Sequence, residues 1–593
     1  MRVQVLRLKH QLRWGGWAWL LAALCLLTSG NAARAQAPAW QAAIAGSGIS
    51  GVHALATDAA GTVYLTGFFV GSVSFGPVML SSAGGSDLFV AKWTPAAGFV
   101  WALQGGGNEE ENGVAMAVQG SSVYLTGTFS SHFFDIGNTR LTNAGPTTAP
   151  ITTDVFVAKL TDAGTSAAFD WAEQAGGIGY DMAHAIAVRG ADVYVAGEFR
   201  GPSAAFGLSG LSLTGAGTGL SCDGYVAKLT DGGPLGVFLW AQRLGGTGYD
   251  YCNALAASPT GLYVGGTYSS SSLQVGTTRL NNQGGDDAYV ARLTDNGTTA
   301  GFAWAQAVGG PGDNRAEALA VSGSRLYLAG AFNGSTMRAG GSTLYNAGTG
   351  TTFDAYVVAL NDVGTTSTVA WAEQAGGPQD EFVTAMTVRG SSVYLAGTFQ
   401  SDAAYFGATA LTNVTSTPVQ GYWYSDVFVA RLADAGTTGT FAWARQAGGP
   451  RTDRALAVAV AGTTVYVGGT VAGPVSFGSV ALPLPVQEPI AFLASLADPL
   501  GLATHGTAAL AALGVVPNPA HATATVQLPR LPGVAAATLT LYDGLGRVVH
   551  TARLALMTAG TTTELPLHQL APGPYYLLVQ AGNERASRTL LVE

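Results

Sequence analysis

The chain is predicted to be all-β, a seven-bladed β-propeller followed by a small C-terminal β-sandwich. Three observations predict it. A segment typified by Asp154 to Gly197 recurs seven times at a period of about 60–72 residues, and such a period over most of a chain signals a repeat architecture. Its recurring pieces are runs of four to eight β-branched and aromatic residues bounded by Gly, Asp and Asn, which is the pattern of strands. The repeats also begin with a lone Trp strand (Trp40 to Ala43) and stop near Leu496, just before the next Trp strand is due. The first strand can therefore complete the last sheet and join the ends of a ring, whereas a solenoid would need terminal caps.

Residues 1–35 are predicted to be a secretory signal. Basic residues come first, an apolar run from Trp17 to Leu27 follows, and Ala33-Arg34-Ala35 supplies the small-x-small cleavage site. The run is too short to span a bilayer, and no transmembrane segment is expected in the mature chain. The 593 residues carry 83 Gly, are 48% hydrophobic and only 11% charged, a composition that suits short strands joined by many turns. Formal net charge is -9, and about -14 once the five basic residues of the signal are removed, so a phosphate backbone is repelled and nucleic acid is not an expected partner. Cys25 leaves with the signal. Cys222 and Cys252 remain, either bridged, as an oxidising compartment permits, or buried as free thiols.

Residues 36–496 hold the repeats. The anchors are Trp40, Trp101, Trp171, Trp240, Trp304, Trp371 and Trp443, each opening a Trp-Ala-x-Gln-x-Gly-Gly stretch or a variant of it. Fourteen residues after each comes an Ala-x-Ala strand, and nine or ten further on comes the tyrosine of V/L-Y-L/V-x-G: Tyr64, Tyr124, Tyr194, Tyr263, Tyr327, Tyr394 and Tyr466. A third strand follows, headed by Asp87, Asp154, Asp223, Asp287, Asp354 and Asp426, with Ile490 standing in the seventh unit. In Asp154-Val-Phe-Val-Ala-Lys-Leu both alternating faces are apolar, so these sheets must be covered on both sides. Each Trp would bury roughly 150–250 Å², worth about 4–6 kcal/mol as an upper bound, which makes packing the reason it recurs. The Trp-Ala-x-Gln, V-Y-L-x-G and D-x-F-V-A-K-L elements together resemble the seven-bladed β-propeller repeat of secreted bacterial proteins, the SBBP type. That resemblance implies the propeller fold and no defined activity.

Residues 497–513, rich in Ala, Gly and Leu, form a linker, and residues 514–593 change character to alternating strands with turn signals about every ten residues. The opening Pro517-Asn518-Pro519-Ala520, Asp543-Gly544-Leu545-Gly546-Arg547, and Leu570-Ala571-Pro572-Gly573-Pro574-Tyr575 resemble the type A C-terminal sorting domain of the type IX secretion system. The resemblance implies that Pro517, Asn518, Pro519, Gly546, Gly573 and Tyr575 carry the sorting motif. It further implies engagement of the type IX machinery, passage through a Gram-negative outer membrane, and release or attachment at the cell surface.

Chemistry is sparse. Ten residues after most Trp stands an acid, namely Glu111, Asp181, Asp250, Glu381 and Asp453, with Ser50 and Asn314 as departures. One acid per blade could make an anionic rim for calcium; the competing and preferred reading is that each acid orders its own Gly-rich turn. No cofactor is expected. His53 and His184 share a repeat position, expected to be a turn beside the Ala-x-Ala strand. No nucleophile motif or metal-spaced pair is present, so no catalytic residue is assigned and the protein is expected not to be an enzyme. The spacing from Tyr to the third strand varies over 23–32 residues, and insertions in repeat proteins gather on one face, often the binding face. The longest ends in Gln420-Gly421-Tyr422-Trp423-Tyr424, and another carries Phe133-Phe134. These five aromatics (Tyr422, Trp423, Tyr424, Phe133, Phe134) are the candidate contacts for a glycan or surface protein. The expectation is a monomeric, surface-displayed binding or scaffold protein. The alternatives are a structural surface or matrix protein without a discrete ligand and a carbohydrate-active propeller hydrolase.

Overall fold

The computed structural model describes residues 38–593 apart from 59, 149–150, 218–220, 416, 420, 485–487, 499–512, 532–535, 544–547, 558–559 and 582–583. The signal segment, most of the linker and Gly546 of the sorting motif lie outside the described residues.

Each repeat gives four antiparallel strands. In the second these are Glu111–Gln119, Ser122–Phe129, Asp154–Asp162 and Ala167–Gly176. The strands form because β-branched and aromatic residues alternate over lengths too short for a helix, and both faces are buried: Asp154 through Leu160 are covered without a break. Tight turns such as Arg189-Gly190-Ala191 join first strand to second. The second-to-third connection instead carries a short outer hairpin, Phe133–Ile136 with Thr139–Thr142 in this repeat, which pairs with the fourth strand of the repeat before it. In the first repeat the hairpin is a direct extension of Val63–Phe75 and Val78–Thr94.

The seventh sheet is completed from the other end of the chain. Trp40–Ala45 pairs antiparallel with Ile490–Ala497, Trp40 opposite Leu496 and Ala45 opposite Phe492. The first strands of the seven repeats touch one another in sequence order, and Arg454–Ala461 of the seventh touches Ser50–Thr57 of the first. The seven Trp are buried between neighbouring sheets, as their recurrence predicts.

Six of the joints between repeats share one polar node. The aspartate that closes the third strand accepts a hydrogen bond from the tyrosine of the preceding repeat: Tyr64 to Asp162, Tyr124 to Asp231 and Tyr263 to Asp362, each at 2.7 Å, and likewise Tyr194 to Asp295, Tyr327 to Asp434 and Tyr394 to Asp498. At five of these the preceding Trp donates its indole N–H to the same carboxylate, 3.0 Å from Trp101 to Asp162 and 2.8 Å from Trp371 to Asp434. A cation completes it: Lys92, Lys159, Lys228, Arg292, Arg325 or Arg431. In five of them the carboxylate also takes the backbone N–H of a glycine two residues on, whose φ of 89–94° places it in the left-handed region. Burial pushes the Asp231 carboxyl up, but Lys159, Tyr124, the Gly233 amide and Trp171 outweigh it and hold the group down to about 2. At the seventh-to-first joint Pro95 takes the aspartate's place and Tyr466 meets Trp93 edge-on; the Trp40 indole instead donates to the Gln446 carbonyl of the sixth sheet at 3.0 Å.

Residues 514–593 form two antiparallel sheets around one apolar core. One contains Gly514–Val516, Thr523–Leu528 and Thr561–Pro566; the other contains Val548–Ala555, Ala536–Tyr542, Gly573–Ala581 and Glu584–Val592.

Replacing Asp162 by Ala leaves Lys92, only 11% exposed at its side chain, without its counter-charge, and breaking such a buried pair costs about 3–5 kcal/mol. Urea unfolding followed by Trp fluorescence should show a correspondingly lower midpoint. An unchanged midpoint would mean that apolar packing alone holds the joint.

Candidate functional site

Strand direction gives each sheet two chemically different ends. The first and third strands start at one end, where the long second-to-third connections and the Gly-Gly turns lie; the Asp–Tyr–Trp nodes lie at the other. All the candidate contacts read from the repeats fall at the first of these ends.

The acids after the Trp are buried in their own turns. Glu111 accepts the backbone N–H of Gly107 at 2.7 Å and of Ser131; Asp181 accepts Gly177 at 2.6 Å and Arg200; Glu381 accepts Gly377 at 2.7 Å and Ser401. Asp250 takes Gly246 and both donors of Ser270, and Asp453 takes Ala472. They order turns and make no open anionic rim, and among the described residues no three His, Cys, Asp or Glu side chains group as metal ligands. Each acid has a neighbour in the aspartate heading the preceding third strand: Asp87 beside Glu111, Asp154 beside Asp181, Asp223 beside Asp250, Asp354 beside Glu381 and Asp426 beside Asp453. A Cβ built on Gly176 would lie 2.4 Å from one oxygen of Asp154 and 3.0 Å from one of Asp181, so the two carboxyls converge where only glycine fits. One oxygen of Asp87, Asp154, Asp223, Asp354 and Asp426 has no hydrogen-bond partner among the described residues. Burial, with the neighbouring carboxylate adding to it, pushes Asp181, Glu381 and Asp453 up to about 8, and burial raises Asp154, Asp354 and Asp426 to about 7. An acid this dry and beside another keeps its proton to higher pH than a free carboxyl.

The aromatics divide. Tyr422 is 71% and Trp423 37% exposed, on a turn closed by mutual backbone bonds between Val419 and Tyr422. Tyr424 is half-buried beneath Arg451, whose guanidinium lies 5.7 Å from its ring centroid and donates to its hydroxyl. Phe133 is exposed on its hairpin. Phe134 is not a contact residue: alternation turns it inward, where it stacks on Phe129 at 5.3 Å and belongs to the core.

His53 and His184 do not lie in turns. Every first strand carries a β-bulge near its start, and the extra residue is His53, Val114, His184, Asn253, Glu317, Thr384 or Leu456. Six of these, all but Thr384, line a cavity of about 210 Å³ to which all seven first strands contribute. Within it His184 hydrogen-bonds Glu198, the one acid at its position in the second strands. Burial works against a charged His184, but Glu198 outweighs it and raises the imidazole's pKa. Sequence reading missed this site because a bulge leaves no mark on composition; the signal available was the repeat position itself, where His, Asn and Glu interrupt apolar alternation. Cys222 and Cys252 are free thiols, both buried, and Cys252 lies 3.1 Å from the Tyr289 hydroxyl.

In the C-terminal unit Asn518 ties the Pro517-Asn518-Pro519 segment to the last strand, donating to the Thr589 carbonyl at 2.7 Å and accepting from the Leu591 amide at 2.9 Å. Tyr575 donates to the Ala571 carbonyl at 2.8 Å. Residues 514–593 match the secretion system C-terminal sorting domain family. The protein is thus exported through the type IX secretion system to the cell surface or extracellular space, and its C-terminal unit engages that machinery. No curated protein matches the chain. Among the described residues no helix is long and apolar enough to cross a membrane.

Two outcomes are expected. Deleting residues 514–593 should remove the protein from the cell surface and medium and leave it in the periplasm, as fractionation and blotting would show; undiminished export would contradict the assignment. The second concerns pH. Unfolded carboxyls lose their protons near pH 4, whereas the buried pairs keep one up to about 7–8. Their contribution to stability is therefore full below the unfolded value and is lost as pH rises through the folded one. Thermal unfolding should occur at a higher temperature at pH 5 than at pH 8, and Glu381→Gln combined with Asp181→Asn should flatten the difference. A melting temperature that climbs from pH 5 to pH 8 would rule the retained protons out.

Proposed function

We propose that the seven sheets form a closed seven-bladed β-propeller of the SBBP type, and that the exported protein is a non-enzymatic binding or scaffold protein that takes glycan on one end. Support for closure is the pairing of Trp40–Ala45 with Ile490–Ala497, together with the contact between the seventh and first repeats' first strands. The observation that carries the binding reading is the exposed Tyr422-Trp423 pair, on the longest connection and braced by Arg451 against Tyr424. An aromatic ring held on a stiffened turn offers apolar area at little entropic cost, which suits the face of a sugar ring. The long connections gather at this end of the strands, and the opposite end is occupied by the Asp–Tyr–Trp nodes.

A glycan-array screen of the purified secreted protein tests the reading. Binding to one glycan class is expected, weakened roughly tenfold or more by Trp423→Ala with the melting temperature unchanged. No binding to any glycan would leave a scaffold without a sugar ligand as the better description.

A further inference from the structure

The cavity ringed by the first strands is walled by Leu55, Met116, Ile186 and Leu255 and carries polar groups only at its bulge residues. The donors of two of them are already committed. His53 Nδ1 donates to the Gly113 carbonyl at 3.1 Å, and Asn253 donates its amide to the Ala316 carbonyl at 2.8 Å. Each accepting carbonyl belongs to the residue just before the bulge of the next repeat. A carbonyl can only accept, so the tautomer and the amide orientation are fixed. His53 therefore keeps the lone pair of Nε2, and Asn253 keeps its side-chain oxygen. Burial lowers the His53 pKa and keeps the ring neutral, so Nε2 remains an acceptor.

Glu317 is the odd member. It stands at the bulge of the fifth repeat, surrounded by protein yet reached by solvent because it faces the cavity. It makes no hydrogen bond or ion-pair contact with any described residue. The nearby cations are otherwise engaged: His184 is paired with Glu198, and the Arg315 guanidinium lies 4.9 Å from the Phe353 ring centroid. Burial pushes the Glu317 carboxyl up, more than the nearby charges of His184 and Arg315 draw it down. The cavity thus presents acceptors, one carboxylate hydrogen-bonded to no described residue, and aliphatic walls.

We propose that this cavity binds an alkylammonium group, its N–H donors on Glu317 and its chain against the aliphatic wall. An ammonium head has three donors and no acceptor, the complement of this set, and a linear chain fits walls built from Leu, Ile and Met. The group belongs either to a free diamine or to a lysine side chain. The site does not depend on Trp423 or on glycan binding.

Calorimetry on the whole secreted protein tests it with three probes: 1,5-diaminopentane, the neutral 1,5-pentanediol, and an acetylated Gly-Lys-Gly peptide. Saturable binding of the diamine, the peptide or both is expected, with none for the diol, and the tighter of the two identifies the source. Glu317→Gln should weaken the amine roughly 30-fold or more, and Trp423→Ala should leave it unchanged. If the Gln variant does not fold, the wild-type protein still decides the matter, through a melting temperature raised by the amine and not by the diol. Absence of amine binding, equal binding of the diol, or undiminished binding to a folded Glu317→Gln overturns the proposal.

Discussion

The structure depends on covering sheets that are apolar on both faces. Once each sheet needs a neighbour on either side, the joint between sheets becomes the unit of construction, and the chain marks that joint with a buried aspartate. Asp162 gathers Tyr64, Trp101 and Lys92 from the repeat before it, three donors whose polar atoms would otherwise be stranded between apolar sheets. Tryptophan and tyrosine bring most of the buried area, and the carboxylate satisfies the polar atoms that come with it. Register follows, because a slip of one residue would carry the tyrosine hydroxyl away from its acceptor.

The two ends of the strands solve the same problem of buried carboxylates in different ways. At the node end each carboxylate is compensated by a cation, and at five nodes its pKa is held below the ordinary value. At the loop end Asp154 and Asp181 have backbone N–H donors and each other, whereas Asp223 of the pair with Asp250 is reached by Arg243 at 3.2 Å. Paired acids hold glycine-rich turns rigidly beneath the connections that vary most between repeats.

Much of this was legible in the sequence, because the strand pattern, the Trp period and the completion of the seventh sheet by Trp40–Ala45 follow from spacing alone. The sorting domain was legible from its short motifs. The node aspartates were overlooked although they stand eight residues after the strand-heading aspartates, as Asp162 follows Asp154. A side chain's partner in the next repeat is invisible to local pattern. The acid pairs had left a trace as well: Ile490 replaces the aspartate and Ser50 replaces its acid at the same junction, so the two are lost together. Phe134 and the two bulge histidines were misplaced for different reasons: regular alternation along the hairpin strand turns Phe134 inward, and a bulge, which composition does not record, holds His53 and His184 within their strands.

The seventh-to-first joint has neither the aspartate node nor an acid pair, and it is also where a strand from the beginning of the chain must find one from beyond residue 489. Every other sheet forms from segments close in sequence, whereas this pairing closes the longest loop in the molecule and carries the largest entropic cost. The strand made first therefore carries the costliest closure. For a chain that crosses the cell envelope on its way out, the seventh sheet can be completed only where both ends of the repeat region are present on one side of the membrane.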